Sequence, residues 1–251
     1  MKQSIAFLSS VMIFAACKHA SIPTPSTYML TSVVHDLTDK HKLQPKPEPL
    51  LPLYNLRDNK AAADYYRYHA ITDLTLSPSV ELWLPDEATA EKQNSEDRPM
   101  YRDLQIVQFY DSIRRQLQSA TRRVNDTAEM SHSECFKIIA GELEWLQSKT
   151  AKKKVLLIFS NLQENSAIFN AYSESAKHLL TKNTAAVRKI FEQTNLLPDS
   201  LQGVSVFFCY QPTDREDDAA FNAMAQVYKS MLESRGAVVR IQADNNHFDI
   251  P

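Results

Sequence analysis

The chain has 251 residues, of which 43% are hydrophobic and 23% charged, so it can form one sizeable domain and is not compositionally disordered. Its formal net charge of -2 gives no electrostatic reason to expect a nucleic-acid partner. The three glycines, Gly141, Gly203 and Gly236, are far apart. Walker loops and dinucleotide fingerprints need clustered glycines, so both are excluded.

Residues 1–17 have the pattern of an export signal. Lys2 supplies a positive charge, and the apolar run 5–16 is too short to span a bilayer. Two alanines precede Cys17. This arrangement resembles the bacterial lipobox, which implies cleavage before Cys17, acylation of its thiol and a lipid-anchored protein in the bacterial cell envelope. An ordinary signal peptide with an incidental cysteine is the alternative.

Residues 18–54 contain six of the 12 prolines. Alternating prolines favour extended polyproline geometry without a packed face, so we expect a tether here. Residues 28–37 are apolar enough for either an added strand or a short docked segment. The α/β domain is expected over residues 55–251.

Four apolar runs alternate with helical periodicity in that domain, at residues 68–73, 155–160, 203–210 and 237–241. Strands that alternate with helices pair in parallel through right-handed crossovers. The sequence therefore predicts a three-layer, Rossmann-like α/β fold with helices on both faces of a mostly parallel sheet. Cys135 and Cys209 lie in apolar surroundings, which favours buried thiols over a disulfide.

The first of these runs ends in the polar motif Asp73-x-Thr75-x-Ser77. At the carboxyl end of a central strand, this motif would place one carboxylate and two hydroxyls where open α/β sheets bind ligands. Such oxygen donors suit a hard divalent cation. The motif resembles the Asp-x-Ser-x-Ser motif of von Willebrand factor type A (VWA) domains, and the order of the strands over residues 68–241 supports the resemblance.

The resemblance implies a metal site for Mg²⁺, or for Mn²⁺ or Ca²⁺, with these ligands: Asp73, Thr75, Ser77, Ser133 and Asn161. Ser131 is an alternative to Ser133. Asn161 stands where the family has an aspartate, so the site is expected to be weak or lost. The resemblance also implies more strands than the sequence displays, and we expect a sheet reduced at one edge.

The predicted function is therefore protein binding in adhesion or assembly, with another protein as the partner. We expect partner contacts from Trp83, in the long acidic loop 78–99, and from Glu164. Packing of Trp83 over the site is the alternative role for that side chain. A metal-dependent phosphohydrolase with Asp73 as nucleophile is the alternative function, although Thr75 stands where such enzymes have a second aspartate.

Overall fold

The computed structural model of the protein describes residues 27–38, 43–72, 77–93, 101–126 and 132–250. Its strands are β1 (Thr27–Asp36), β2 (Ala63–Ile71), β3 (Ser79–Leu84), β4 (Lys153–Phe159), β5 (Val204–Cys209) and β6 (Val238–Gln242). They form one six-stranded sheet in the order β3-β2-β1-β4-β5-β6. Neighbouring strands are parallel, except that β3 is antiparallel to β2.

Helices cover both faces of this sheet. The helices are α1 (Pro47–Leu50), α2 (Glu87–Gln93), α3 (Arg102–Asp126), α4 (Cys135–Ser148), α5 (Glu174–Lys182), α6 (Thr184–Glu192) and α7 (Arg215–Glu233). One core lies between the sheet and α4 to α7, and the other contains α1, α3 and a 3₁₀ turn at Leu51–Tyr54. The predicted three-layer, Rossmann-like α/β fold is confirmed.

β1 lies at the centre of the sheet, between β2 and β4. Val34 packs in the core on the α4 side and Val33 in the core on the α3 side, as the alternation of a strand buried on both faces requires. The following residues, Pro47–Tyr54, also contribute buried side chains to the α3-side core. The predicted tether is therefore wrong for the described part of residues 18–54, because β1 and α1 belong to the folded domain.

The region predicted as a long loop, residues 78–99, contains β3 and α2. β3 forms one edge of the sheet, and its Trp83 lies opposite Tyr65 of β2. The strand predicted at residues 68–73 is β2, which begins at Ala63 and ends at Ile71. β1 and β3 thus add two strands to the four that the sequence indicates.

Cys135 and Cys209 are both buried free thiols. This confirms the preferred interpretation of the two cysteines over a disulfide between them. Among the residues that the structure describes, no helix is both long enough and apolar enough to cross a membrane.

Candidate functional site

The direction in which the strands are added to the sheet reverses between β1 and β4. From β1 the chain builds the sheet outwards through β2 to β3, and from β4 it builds in the other direction through β5 to β6. In open α/β sheets, ligands bind in the crevice at the carboxyl ends of the strands at such a reversal. The residues that end β1 and follow β4 are Asp36 and Ser160, so these define the candidate site.

Asp36 is the centre of a hydrogen-bond network at this position. Its Oδ2 accepts a hydrogen bond of 2.7 Å from Ser160 Oγ. Its Oδ1 accepts hydrogen bonds from Thr38, at 2.9 Å from the backbone nitrogen and 2.6 Å from the hydroxyl. Because Asp36 and Ser160 are almost fully buried, these bonds replace the water that a carboxylate would otherwise need.

Ser133 and Cys135 bring the beginning of α4 to the same place. Ser133 Oγ lies 3.0 Å from Cys135 Sγ, and that sulfur lies 3.7 Å from Asp36 Oδ2. Burial raises the pKa of the Cys135 thiol well above its usual range, and the negative charge of Asp36 adds to the effect. Cys135 is therefore a neutral thiol in this cluster.

The turn after β4 connects this buried cluster to the surface. Leu162 has a φ of 61°, and its backbone nitrogen donates a 2.9 Å hydrogen bond to Ser160 Oγ. Asn161 Oδ1 accepts a hydrogen bond of 2.9 Å from the Gln163 nitrogen. Both Asn161 and Gln163 line a cleft of about 480 Å³ between this turn, α5 and the beginning of α7, and the half-exposed Tyr172 lines it as well.

Glu164 has a structural position that the sequence did not indicate. It is fully buried, and its Oε2 accepts a 2.8 Å hydrogen bond from the backbone nitrogen of Phe136, in the first turn of α4. Burial raises the pKa of Glu164 to about 7. A buried carboxylate offers no surface to a partner, so the predicted partner contact of Glu164 is corrected to a helix-capping role.

The structure brings together some of the predicted metal ligands and not others. Ser133 lies in the Asp36 cluster, and Asn161 directly follows Ser160 in the turn after β4. Ser77 lies instead beside β2, with its hydroxyl 3.3 Å from that of Thr72, and it lines a different cavity.

Several predicted residues lie outside the part of the chain that the structure describes. They are Asp73, Thr75, Ser131 and Cys17. The metal-ligand role of Asp73, its alternative role as a phosphohydrolase nucleophile and the acylation of Cys17 therefore stay predictions. Trp83 is described: it is 46% exposed and stacks on Tyr65 with ring centroids 6.0 Å apart, so its predicted partner contact also stays open.

Sequence reasoning missed Asp36, Thr38 and Ser160 as members of the site. A signal for Asp36 and Thr38 was present, because Asp36-Leu37-Thr38 repeats the Asp-Leu-Thr of the motif at residue 73 and begins at the last residue of β1. The third position of the motif differs, since residue 40 is lysine and residue 77 is serine. Because Ser77 completes the motif, residues 73–77 were predicted as the site and residues 36–40 were not.

The residues in this cluster fit a tightly bound divalent cation poorly. Hard cations prefer several oxygen ligands, with carboxylates among them. Asp36 would be the carboxylate ligand here, and both of its oxygens already accept hydrogen bonds from Thr38 and Ser160. In the described part of the chain, no group of three or more His, Cys, Asp or Glu side chains is arranged to hold a metal ion. We therefore derive no role for a metal ion.

Comparison of the chain with protein-family models, with curated proteins and with solved structures gives no significant match.

Proposed function

We propose that this chain is a protein-binding domain of the bacterial cell envelope, similar in plan to VWA domains, that contacts its partner with the carboxyl edge of its sheet. The observation that carries the proposal is the hydrogen bond between Asp36 and Ser160 at the reversal between β1 and β4. It fixes the turn whose next residue, Asn161, lines the 480 Å³ cleft. A crevice at this position is the usual ligand site of open α/β sheets.

The side chains at this edge suit binding better than covalent catalysis. A catalytic nucleophile is activated by a neighbouring base or by a lowered pKa. The pKa of the Cys135 thiol is raised, which disfavours the thiolate. Ser160 Oγ donates to the Asp36 carboxylate, but Ser160 is fully buried, so a substrate cannot reach this hydroxyl. These features support a binding function for the site.

Tyr172 is the side chain that we assign to the partner contact. It is 50% exposed and lines the same cleft as Asn161 and Lys177. Tyrosine is enriched in protein interfaces because it combines a large apolar ring with a polar hydroxyl. Lys177 supplies one positive charge to this cleft, but three carboxylates line it as well, so its net charge is negative and favours a basic group on the partner. The three carboxylates are those of Asp214, Glu216 and Asp217.

The lipid anchor at Cys17 is a separate part of the proposal and rests on the signal pattern of residues 1–17. Cells that express the chain would be labelled with an alkyne analogue of palmitate. Incorporation into the wild type and its loss in Cys17→Ala would support the anchor. Equal labelling of the two proteins would contradict it.

Photo-crosslinking in intact cells tests the partner-binding edge. The crosslinking amino acid p-benzoylphenylalanine would replace Tyr172 in the full chain. The control replaces Val238, which is 44% exposed at the beginning of β6 and thus at the opposite, amino edge of the parallel strands. We expect a discrete crosslinked protein from position 172 that is absent from position 238.

A charge reversal within the cleft makes this test specific. Glu216→Lys changes an exposed side chain in the first turn of α7 that lines the cleft, so it should reduce the yield of the same crosslinked protein. Equal capture at positions 172 and 238, or a yield unaffected by Glu216→Lys, would contradict the assignment of the partner to this edge.

A further inference from the structure

A second cavity, of about 280 Å³, lies between β2 and the first half of α4. Its polar lining consists of Arg67, His69, Ser77, Glu134, Lys137 and Glu142. It shares no lining residue with the cleft at Asn161. The cavity is therefore distinct from the partner-binding edge proposed above.

Glu142 of α4 fixes the positions of the side chains that line this cavity. Its carboxylate is 1% exposed and accepts hydrogen bonds from His69 Nδ1 at 2.7 Å and from Ser32 Oγ at 2.8 Å. Arg67 Nε lies 3.2 Å from the same carboxylate. A buried carboxylate with three donors holds its neighbours firmly, since releasing any of them would leave charge without a partner. The imidazole and the guanidinium are thus fixed in position.

The contacts with Glu142 leave one ring nitrogen of His69 and the terminal nitrogens of Arg67 available for hydrogen bonds. Because a carboxylate accepts, Nδ1 of His69 is the donor to Glu142, and in the neutral form of an imidazole Nε2 then presents a lone pair. Among the described residues, Nε2 of His69 has no hydrogen-bond partner, and Nη1 of Arg67 lies 3.9 Å from the carboxylate of Glu81. Such a distance is too long for a hydrogen bond.

The charges that surround the cavity limit the kind of ligand. Arg67 and Lys137 supply two positive charges, and Glu134 and Glu142 supply two negative charges. Arg67 compensates the charge of Glu142, and Lys137 is paired with Glu134 at 3.1 Å, so the lining has no net charge and a ligand is held by hydrogen bonds. The terminal nitrogens of Arg67 and the hydroxyl of Ser77 can donate to an anionic oxygen, while His69 Nε2 accepts.

We propose that this cavity binds a small oxyanion that keeps a proton at neutral pH, of which hydrogen phosphate is the simplest. Arg67, Ser77 and Lys137 would hold the anionic oxygens, and the ligand's O–H would donate to His69 Nε2. Sulfate has the same shape but carries no proton at neutral pH. Its oxygen would face the lone pair of Nε2, and such a mismatch between acceptors is costly in a partly buried site.

Isothermal titration calorimetry with the full chain tests this inference, with inorganic phosphate and sulfate as the two probes. We expect saturable binding of phosphate and at least about tenfold weaker binding of sulfate, the ratio expected from one unmade hydrogen bond. His69→Asn keeps an N–H for Glu142 and removes the Nε2 acceptor. That variant should lose the preference for phosphate.

The chain offers a matched pair of lysines as a second measurement. Lys137 and Lys177 are 56% and 51% exposed, and each pairs with a glutamate three residues earlier, at 3.1 Å and 3.0 Å. Lys137→Gln should weaken phosphate binding about two- to fivefold, and Lys177→Gln should leave it unchanged. Absence of phosphate binding, equal affinity for sulfate, or equal effects of the two lysine variants would overturn the proposal.

Discussion

Ser160 Oγ donates a 2.7 Å hydrogen bond to Asp36 Oδ2 across a separation of 124 residues in the chain. The bond joins the end of β1 to the turn after β4, at the centre of the sheet. It therefore makes the N-terminal strand part of both the core and the candidate site.

Removal of β1 should prevent folding. A chain that begins at residue 55 lacks the strand between β2 and β4, so the sheet would be divided into two parts that expose apolar residues. We expect residues 27–251 to unfold cooperatively in urea and residues 55–251 to show no cooperative transition by circular dichroism. A cooperative transition of the shorter chain, with a similar dependence on urea, would contradict a central β1.

The sequence predicted the fold class because its apolar runs and helical periodicities are strong between residues 153 and 242. β4 and β5 are buried on both faces, and such strands form continuous apolar runs that are easy to recognise. β1 has a similar run, but it lies between proline-rich segments that favour an extended tether. Tertiary pairing with β2 and β4 decides its structure, and local composition does not contain that information.

Prediction of the site was incomplete for a related reason. Ser133 and Asn161 were identified from the resemblance to VWA domains, whereas Asp36 was missed because residues 28–37 could be either an added strand or a docked segment. The burial of Glu164 was equally hidden, because a glutamate in a loop normally faces water. Its bond to the Phe136 nitrogen depends on how the turn after β4 meets α4, and neither segment contains that information alone.

The buried Glu164 should make stability depend on pH. An unfolded chain ionises this glutamate near its ordinary value of 4.5, whereas burial raises its folded pKa to about 7. Between these values the folded state binds more protons, so the free energy of unfolding should fall as pH rises from about 4.5 to about 7 and then level off. Over this pH range, the free energy of unfolding of the wild type should decrease by on the order of 3 kcal/mol more than that of Glu164→Gln.

Urea unfolding of the wild type and of Glu164→Gln across this pH range measures that difference. Glu174 is a suitable control, since it is an exposed glutamate in the first turn of α5. Glu174→Gln should follow the wild type at each pH. If Glu164→Gln also follows the wild type, the raised pKa of the buried carboxyl is refuted.

Removal of the charge of Asp64 and removal of its hydrogen bond should have different effects on the stability of the protein. It is fully buried, burial raises its pKa to about 8, and its Oδ1 accepts a 3.0 Å bond from the Met29 nitrogen at the β1 bulge. Asp64→Asn keeps an acceptor without a charge, so it should be stabilising above pH 8. Asp64→Ala leaves the Met29 nitrogen unpaired and should cost about 1–3 kcal/mol.

Denaturant unfolding at pH 9 separates the two Asp64 variants. We expect Asp64→Asn to lie above the wild type in stability and Asp64→Ala to lie below Asp64→Asn. The reverse order of the two variants would show that Asp64 is not a buried acceptor for β1.

A double-mutant cycle between Asp36 and Ser160 tests the central placement of β1 most directly. The free energy of unfolding would be measured for Asp36→Ala, Ser160→Ala and the double variant. A second cycle with Asp64→Ala and Ser160→Ala is the control, because these two residues lie at opposite ends of the strands. We predict a coupling energy of at least about 1 kcal/mol for Asp36 with Ser160 and additive effects for Asp64 with Ser160. Additive effects of Asp36→Ala and Ser160→Ala would contradict the account.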